Sequence, residues 1–215
     1  MHKLNIDFYS EITCPWCLIG HHRLDKVLAE RFAELSVDII HHPVFLIPDC
    51  PPEGMLIADL MKSRHGVSDP AELWARPEAE ARASGLDLVL RRQPYAYPTQ
   101  GAHTLIRLAR AKGTQHRLAG ALYASYFRDV KNIADPRVLG EIASRHGFDS
   151  AEARRLSQDA GEREQTAREA AQATAQGITS VPHFVFGGRL VLKGGRSEDE
   201  LAHVIKKAIQ NIGLN

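Results

Sequence analysis

The chain has 215 residues, of which 44% are hydrophobic and 25% charged, and its formal net charge is +1. These proportions are ordinary for a globular protein with one sizeable core or two small domains. The near-neutral charge gives no reason to expect a nucleic acid or an acidic membrane surface as a partner. No apolar stretch is long enough to span a bilayer. We therefore expect neither nucleic acid nor a membrane among the partners.

The N-terminal region predicts a strand, a helix and a second strand. Residues 4–9 alternate apolar and polar side chains, residues 18–32 have one apolar helical face, and residues 36–40 form another strand-like run. Strands joined through a helix are usually parallel, with a right-handed crossover. The strand pattern begins almost at Met1, without the apolar core and cleavage site of a secretory signal, so we expect a cytosolic protein.

Two cysteines, Cys14 and Cys17, lie at the start of the first helix in the sequence Cys-Pro-Trp-Cys. Cysteines at this spacing can close a small disulfide ring, and the unpaired N–H groups of a helix start stabilise a thiolate. The thiolate is the species that attacks disulfides. The same spacing also supplies half of a zinc site. The strand–turn–helix context favours redox chemistry.

The central region, from about residue 54 to residue 176, has a helical pattern rich in alanine, arginine, glutamate and leucine. A proline-rich loop at residues 48–54 precedes it and indicates a boundary. A helical block of this length is too large for a loop, so it predicts an insertion in an α/β domain. Breaks between helices are predicted near residues 66–70, 85–98, 113, 132–136 and 147–150.

The C-terminal region returns to strand signals. Residues 178–182 lead into a strand-like run at residues 183–186, and a Gly-Gly pair predicts a hairpin turn before residues 189–192. Ser197, followed three residues later by Glu200, is the pattern of a capping box at a helix start. The order β-α-β, helical block, β-β-α therefore predicts a single α/β domain interrupted by a helical insertion.

The Cys-Pro-Trp-Cys motif, together with the Val-Pro dipeptide at 181–182, resembles the thioredoxin superfamily, and the helical insertion narrows this resemblance to the DsbA-like branch. The segments EITCPWCLIG at 11–20 and PDCPPEG at 48–54 are similar to FrnE-type members of that branch. The resemblance implies a thioredoxin-like fold interrupted by an all-helical insertion domain. Residues 1–47 and 176–215 would form the thioredoxin-like domain, and residues 48–175 the insertion.

The resemblance also implies roles for individual residues. Cys14 is expected to be the attacking cysteine and Cys17 the resolving cysteine. Pro182 is expected to form a cis peptide bond that faces both and to be part of the catalytic site. The residues expected to contact the substrate are Pro15, Trp16 and Val181, and for Trp16 an apolar cover over the helix start is an equal alternative.

The implied function is that of a thiol–disulfide oxidoreductase, of the oxidase or isomerase type, acting on protein or peptide disulfides. The Cys14–Cys17 pair is itself the redox group, so neither a bound cofactor nor a metal is expected, while glutathione and other small thiols are candidate redox partners. A glutathione-dependent transferase or isomerase of the related kappa-type branch is the alternative. That branch generally replaces the first cysteine with serine, so Cys14 argues against it. A non-enzymatic zinc or interaction module is the third interpretation.

One position near the motif departs from the superfamily pattern. Many relatives carry a buried acid six residues before the first cysteine, where this chain has Phe8. Asp7 is the neighbouring residue, and adjacent residues of a strand point to opposite faces. Proton transfer at Cys17 would then depend on Glu11 or on water.

Several further residues have an ordinary structural interpretation. Cys50 has no fourth cysteine with which to pair, so we expect a free thiol. The sequence contains two adjacent histidine pairs, at 21–22 and 41–42. Because neighbours on a strand point to opposite faces, His41 and His42 are not expected to chelate one ion. His183, which follows the proposed cis proline, is expected to be a surface residue of a strand.

Overall fold

The computed structural model describes residues 3–67, 69–211 and 213. The element order in this part of the chain agrees with the predicted β-α-β, helical block and β-β-α. Its strands are β1 (Leu4–Ser10), β2 (Val37–Pro43), β3 (Met55–Leu56), β4 (Tyr95–Ala96), β5 (His183–Phe186) and β6 (Leu190–Lys193). Its α-helices are α1 (Pro15–Arg31), α2 (Ile57–His65), α3 (Ala71–Ala83), α4 (Gln100–Leu108), α5 (Gln115–Phe127), α6 (Pro136–Ala143), α7 (Ser150–Leu156), α8 (Ala160–Ala175) and α9 (Glu198–Asn211).

Four strands form one mixed sheet in the order β2-β1-β5-β6. Strand β1 is parallel to β2, as predicted from the helix between them, and antiparallel to β5. Strand β6 returns antiparallel to β5 through the predicted Gly-Gly hairpin. The apolar residues of the alternating β1 pattern, Leu4, Ile6 and Phe8, all lie on one face of the sheet and are fully buried. Burial of this face explains the alternation. The interior position of β1 places its C-terminal end, which leads to Cys14, at the centre of the fold.

Helices α1 and α9 pack against the face of the sheet that carries the buried side chains of β1, and together they enclose one hydrophobic core. Helix α9 begins with the predicted capping box. The Ser197 hydroxyl accepts from the Glu200 N–H at 3.2 Å, and the Glu200 carboxylate accepts from the Ser197 N–H at 2.9 Å. No helix in the described part of the chain combines the length and the apolar character needed to cross a lipid bilayer.

The residues between β2 and β5 form helices α2 to α8 around a second hydrophobic core, which also includes Cys14 and Cys17. The predicted breaks all separate helices. The insertion is not entirely helical, because β3 and β4 pair as a two-residue antiparallel ladder. The chain also turns at 157–159, where no break was predicted because no glycine or proline occurs there. Asp159 caps α8 by accepting from the Glu162 N–H at 3.0 Å.

Candidate active site

Cys14 occupies the N-cap position of α1, directly beyond the end of β1. Its backbone is extended (φ −89°, ψ 116°), and Pro15 follows at the start of the helix, where no backbone N–H is needed. The Cys14 carbonyl accepts from the N–H groups of Cys17 and Leu18 at 3.0 and 3.2 Å. The Cys14 sulfur therefore lies at the positive end of the helix dipole, where a thiolate is stabilised.

The two thiols of the motif share a hydrogen bond, and their pKa values move in opposite directions. Donation by the Cys17 thiol, with further donation by the backbone N–H groups of Cys17 and Trp16, lowers the pKa of Cys14. Burial, reinforced by the hydrogen bond and charge of Cys14, raises the pKa of Cys17 well above its usual value. Cys14 is 7% exposed and Cys17 0%. These shifts favour the thiolate form at Cys14 and the protonated form at Cys17.

The Val181–Pro182 peptide bond is cis, as the resemblance implied. Strand β5 starts immediately after it and pairs His183 with Tyr9 near the end of β1. The Pro182 ring lies against α1, because a Cβ atom added at Gly20 would be 3.2 Å from Pro182 Cγ. Val181 packs on the hydrophobic cluster that contains both motif cysteines. The fold thus brings together segments that are more than a hundred and sixty residues apart in sequence.

Pro15 and Trp16 line an apolar cavity of about 160 Å³ beside the motif. Helices α2 and α3 of the insertion contribute much of the opposite wall, including Leu60, Met61 and Trp74. The Trp16 ring lies so close to Gly195 that a Cβ atom there would overlap it. On the helical side, the Arg76 guanidinium carbon is 5.4 Å from the centroid of the Trp16 ring. The two expected contact residues therefore face a space that can receive an apolar side chain.

Glu11, which precedes Cys14 by three residues, is buried in a polar cage. Its carboxylate makes no hydrogen bond to either cysteine within the described residues. The structure therefore does not support a direct proton path from Glu11 to Cys17. Two of the cage residues come from the insertion and could not be found from sequence spacing. The donors are the N–H groups of Ile12 (2.6 Å) and Leu46 (3.3 Å), the Thr99 hydroxyl (3.1 Å) and His103 Nε2 (3.3 Å).

Phe8, which occupies the position of the usual buried acid, and its neighbour Asp7 point to opposite faces of the sheet, as the strand pattern predicted. Phe8 is fully buried and stacks on Phe184 with ring centroids 4.3 Å apart. Asp7 faces the other side of the sheet and binds His42 Nε2 at 2.8 Å.

The fully buried Tyr123 of α5 is a neighbour of the motif that the sequence did not indicate. Burial raises the pKa of its hydroxyl well above the usual value, and the nearby Cys17 adds to this shift.

His183 is buried, at 3% exposure, so the expectation of a surface strand residue was wrong. The reason is that it begins β5, an interior strand covered on both edges, and its ring meets Tyr9 edge-on at 5.7 Å. Burial lowers the pKa of His183.

Cys50 is a free thiol, as expected. Its sulfur lies 3.6 Å from the Ala96 carbonyl oxygen, and burial raises its pKa.

A Cys-x-x-Cys helix start, with a cis proline on the neighbouring strand, defines a thioredoxin-like site. The family model of the DSBA-like thioredoxin domain matches residues 5–206, and the chain belongs to that family. This confirms the predicted fold class and the DsbA-like identification, and it places the protein in a family that includes disulfide oxidoreductases.

Solved structures show the same architecture over nearly the full chain. A probable DsbA oxidoreductase from Streptomyces coelicolor has 25% identity and a TM-score of 0.84, covering 96% of this chain and 90% of that one. A 2-hydroxychromene-2-carboxylate isomerase has 14% identity and a TM-score of 0.72, covering 98% and 99%. The cytosolic disulfide reductase DsbM from Pseudomonas aeruginosa, with glutathione, has 17% identity and a TM-score of 0.67, covering 96% and 99%. No curated protein sequence matches the chain.

Proposed function

We propose that this protein exchanges disulfides with protein or peptide substrates through the Cys14–Cys17 pair. The proposal rests on one observation, which is that the two thiols differ in pKa and in burial. Cys14 has a lowered pKa and keeps 7% of its surface exposed, whereas Cys17 is fully buried and has a raised pKa. A nucleophilic thiol needs thiolate character and access, and a resolving thiol needs proximity to the first one.

The reaction balances with these two sulfurs alone. In the oxidising direction, a substrate thiolate attacks the Cys14 sulfur of the Cys14–Cys17 disulfide, and Cys17 leaves as a thiolate that takes up a proton. A second substrate thiolate then attacks the substrate sulfur of the mixed disulfide and releases the Cys14 thiolate. Two electrons pass from the substrate dithiol to the pair. Reduction of a substrate disulfide is the same sequence in reverse.

The surroundings of the motif support a peptide substrate. The cavity lined by Pro15 and Trp16 is bounded by apolar side chains of α2 and α3, such as Leu60 and Trp74. We propose that an apolar side chain next to the reacting cysteine of the substrate occupies this cavity. Val181, directly before the cis proline, is proposed to contact the substrate backbone on the other side of Cys14.

A glutathione-dependent transferase or isomerase is the second proposal. It is favoured by the structural likeness to the 2-hydroxychromene-2-carboxylate isomerase, and the structure of the disulfide reductase DsbM with glutathione supports glutathione as a ligand under either proposal. Cys14 opposes it, because that chemistry uses the thiol of glutathione and generally has serine at this position. Glutathione binding by a Cys14→Ser variant, with turnover of a non-disulfide substrate, would favour the second proposal.

Two finer assignments accompany the main proposal. The FrnE-type subgroup is supported by the segments EITCPWCLIG at 11–20 and PDCPPEG at 48–54. A cytosolic location is supported by the scarcity of cysteines outside the motif, since a chain with three cysteines has no structural disulfide framework.

The test compares reduction of insulin and oxidation of a dithiol peptide by the wild-type protein and by Cys14→Ala, Cys17→Ala and Cys50→Ala. Both activities should be lost in Cys14→Ala and strongly reduced in Cys17→Ala, while Cys50→Ala retains them. Activity that survives in Cys14→Ala would contradict the proposal. Equilibration of the pair with glutathione buffers gives its reduction potential and decides between oxidase and reductase directions.

A further inference from the structure

The side chain of Arg23 on α1 is buried, at 3% exposure, and makes hydrogen bonds in two directions. On one side, Nε donates to the Ser84 hydroxyl at 2.7 Å, and Nη2 donates to the backbone carbonyl oxygen and the carboxylate of Glu80 at 3.0 and 2.6 Å. On the other side, Nη1 donates to the carbonyl oxygens of Gly195 and Arg196 at 3.3 and 2.9 Å. Because a guanidinium carries five N–H donors in a rigid plane, Arg23 holds these acceptors at fixed positions relative to one another.

The partners of Arg23 belong to two separate parts of the fold. Glu80 and Ser84 lie at the C-terminal end of α3, in the helical region between β2 and β5. Gly195 and Arg196 lie between β6 and α9, in a segment that we call the 194–196 loop. The two groups are 57 and 173 positions away from Arg23 in sequence, so residue spacing gave no sign of the contact. Arg23 therefore fastens α3 and the 194–196 loop to each other through α1.

Both of these parts lie against Trp16. Trp16 precedes Arg23 by seven residues, so the two side chains lie on the same face of α1, two turns apart. The backbone of the 194–196 loop touches the Trp16 ring so closely that Gly195 has no room for a Cβ atom. Helix α3 places the Arg76 guanidinium over the same ring and contributes Trp74 to the wall of the cavity. The separation of α3 from the 194–196 loop therefore sets the space around Trp16.

We propose that Arg23 is a positioning residue that determines which substrates fit the cavity lined by Pro15 and Trp16. By fastening both neighbours of Trp16 to one guanidinium, it keeps the cavity at the width that an apolar side chain needs. The inference rests on the proposed disulfide exchange and gives its substrate class, which is peptide disulfides with an apolar residue next to the reacting cysteine. Arg23 makes no hydrogen bond to Cys14 or Cys17 in the part of the chain that the structure describes, so thiol chemistry should not depend on it.

Two neighbours of Arg23 on α1 help to separate this role from general stabilisation. His22 Nε2 lies 3.0 Å from the Ser84 carbonyl oxygen and ties α1 to α3 alone, so it does not replace the contact with the 194–196 loop. Lys26, one turn further along α1, donates to Glu198 at the start of α9 at 3.0 Å. Lys26→Ala removes a positive charge and an ion pair from α1 without touching α3 or the 194–196 loop, and it is the matched control.

The first measurement is acrylamide quenching of tryptophan fluorescence in the full chain. The chain has two tryptophans, Trp16 and Trp74, and both line the cavity, so the signal reports on this cavity alone. Arg23→Met keeps a side chain of similar length but removes the guanidinium, and it should raise the quenching constant. Lys26→Ala should leave the constant as in the wild type.

The second measurement is the kinetics of exchange with two peptide disulfides that differ only in the residue beside the reacting cysteine, leucine or glycine. Arg23→Met should raise KM for the leucine peptide about tenfold, because apolar burial in the cavity is lost. The KM for the glycine peptide, and kcat for both, should stay within about twofold of wild type, since binding lost equally in the ground state and the transition state changes KM alone. The pH profile of Cys14 alkylation should not move.

Arg23→Lys separates the guanidinium from its charge, because an ammonium keeps the charge but cannot reproduce the planar fork. It should behave as Arg23→Met does. Thermal unfolding checks that each variant is folded, and if Arg23→Met does not fold, Glu80→Ala, which removes a carboxylate that is 41% exposed, should show the same difference between the two peptides.

Failure of the proposed function and failure of this inference give different results. A wild-type protein that exchanges neither peptide would contradict the proposed function, and the substrate class with it. If the wild type exchanges both peptides, three results would overturn the role of Arg23. These are wild-type quenching and KM in Arg23→Met, an equal rise in KM for the two peptides, or full activity and wild-type quenching in Arg23→Lys.

Discussion

His103 donates from Nε2 to the Glu11 carboxylate at 3.3 Å, with both side chains almost completely buried. This contact joins α4 of the insertion to the segment that leads into the motif. The Glu11 carbonyl oxygen also accepts from the Cys14 N–H at 3.1 Å. Glu11 thus holds the two parts of the fold together at the point where Cys14 is positioned.

Glu11→Gln should lower the free energy of unfolding, although both motif cysteines are still present. Four donors converge on the carboxylate, and the amide NH₂ of glutamine would face some of them. Leaving buried donors unsatisfied costs about 1–3 kcal/mol each. Urea unfolding monitored by circular dichroism measures the change, with the exposed Glu34→Gln as control. Equal stability of the two variants would show that the cage contributes nothing.

Cys14 should be the only cysteine that is alkylated rapidly by iodoacetamide at mildly acidic pH. Hydrogen bonding lowers its pKa, whereas burial raises the pKa values of Cys17 and Cys50. Below the usual pKa of a thiol, a lowered value means a larger thiolate fraction and faster reaction. Cys17→Ala removes the donated S–H and should shift the rate profile of Cys14 to higher pH. Mass spectrometry that finds Cys17 labelled first would reverse the role assignment.

The sequence predicted the helix start at Cys14 and the cis peptide bond at Pro182, but not the contacts that surround them. The Cys-Pro-Trp-Cys motif at the end of a strand located the thiols, and the resemblance implied the cis bond at Pro182. The buried contacts of Glu11 were missed because Thr99 and His103 lie 88 and 92 positions away. His183 was misjudged because an interior strand four residues long shows no distinct pattern. Such contacts depend on packing between segments that are far apart in the chain, and local sequence periodicity carries no information about it.

Cys50→Ala should leave disulfide exchange within about twofold of wild type. Cys50 is half buried, its sulfur contacts the Ala96 carbonyl oxygen, and burial raises its pKa, so it is a poor nucleophile. Stopped-flow measurement of exchange with a peptide disulfide tests this expectation. A loss of tenfold or more would mean that Cys50 passes disulfides to or from the motif.

Trp16→His should make the Cys14–Cys17 pair more oxidising. A histidine that donates to the Cys14 thiolate stabilises the reduced state, and a hydrogen bond to a charged group contributes about 1.5–3 kcal/mol. Because ~30 mV corresponds to about 1.4 kcal/mol for this two-electron couple, the potential should rise by about 30–60 mV. Equilibration with glutathione buffers measures it. Trp16→Phe, which adds no donor, is the control, and an unchanged potential in Trp16→His would restrict Trp16 to substrate contact.

The most direct test of the proposed function is to trap the mixed disulfide in a Cys17→Ser variant incubated with a disulfide-containing peptide. Attack by Cys14 is retained in this variant, but resolution is lost. Non-reducing mass spectrometry should find the peptide joined to Cys14, and the adduct should be absent from Cys14→Ser. An adduct on Cys17 in Cys14→Ser and none on Cys14 in Cys17→Ser would contradict the assignment of the two thiols.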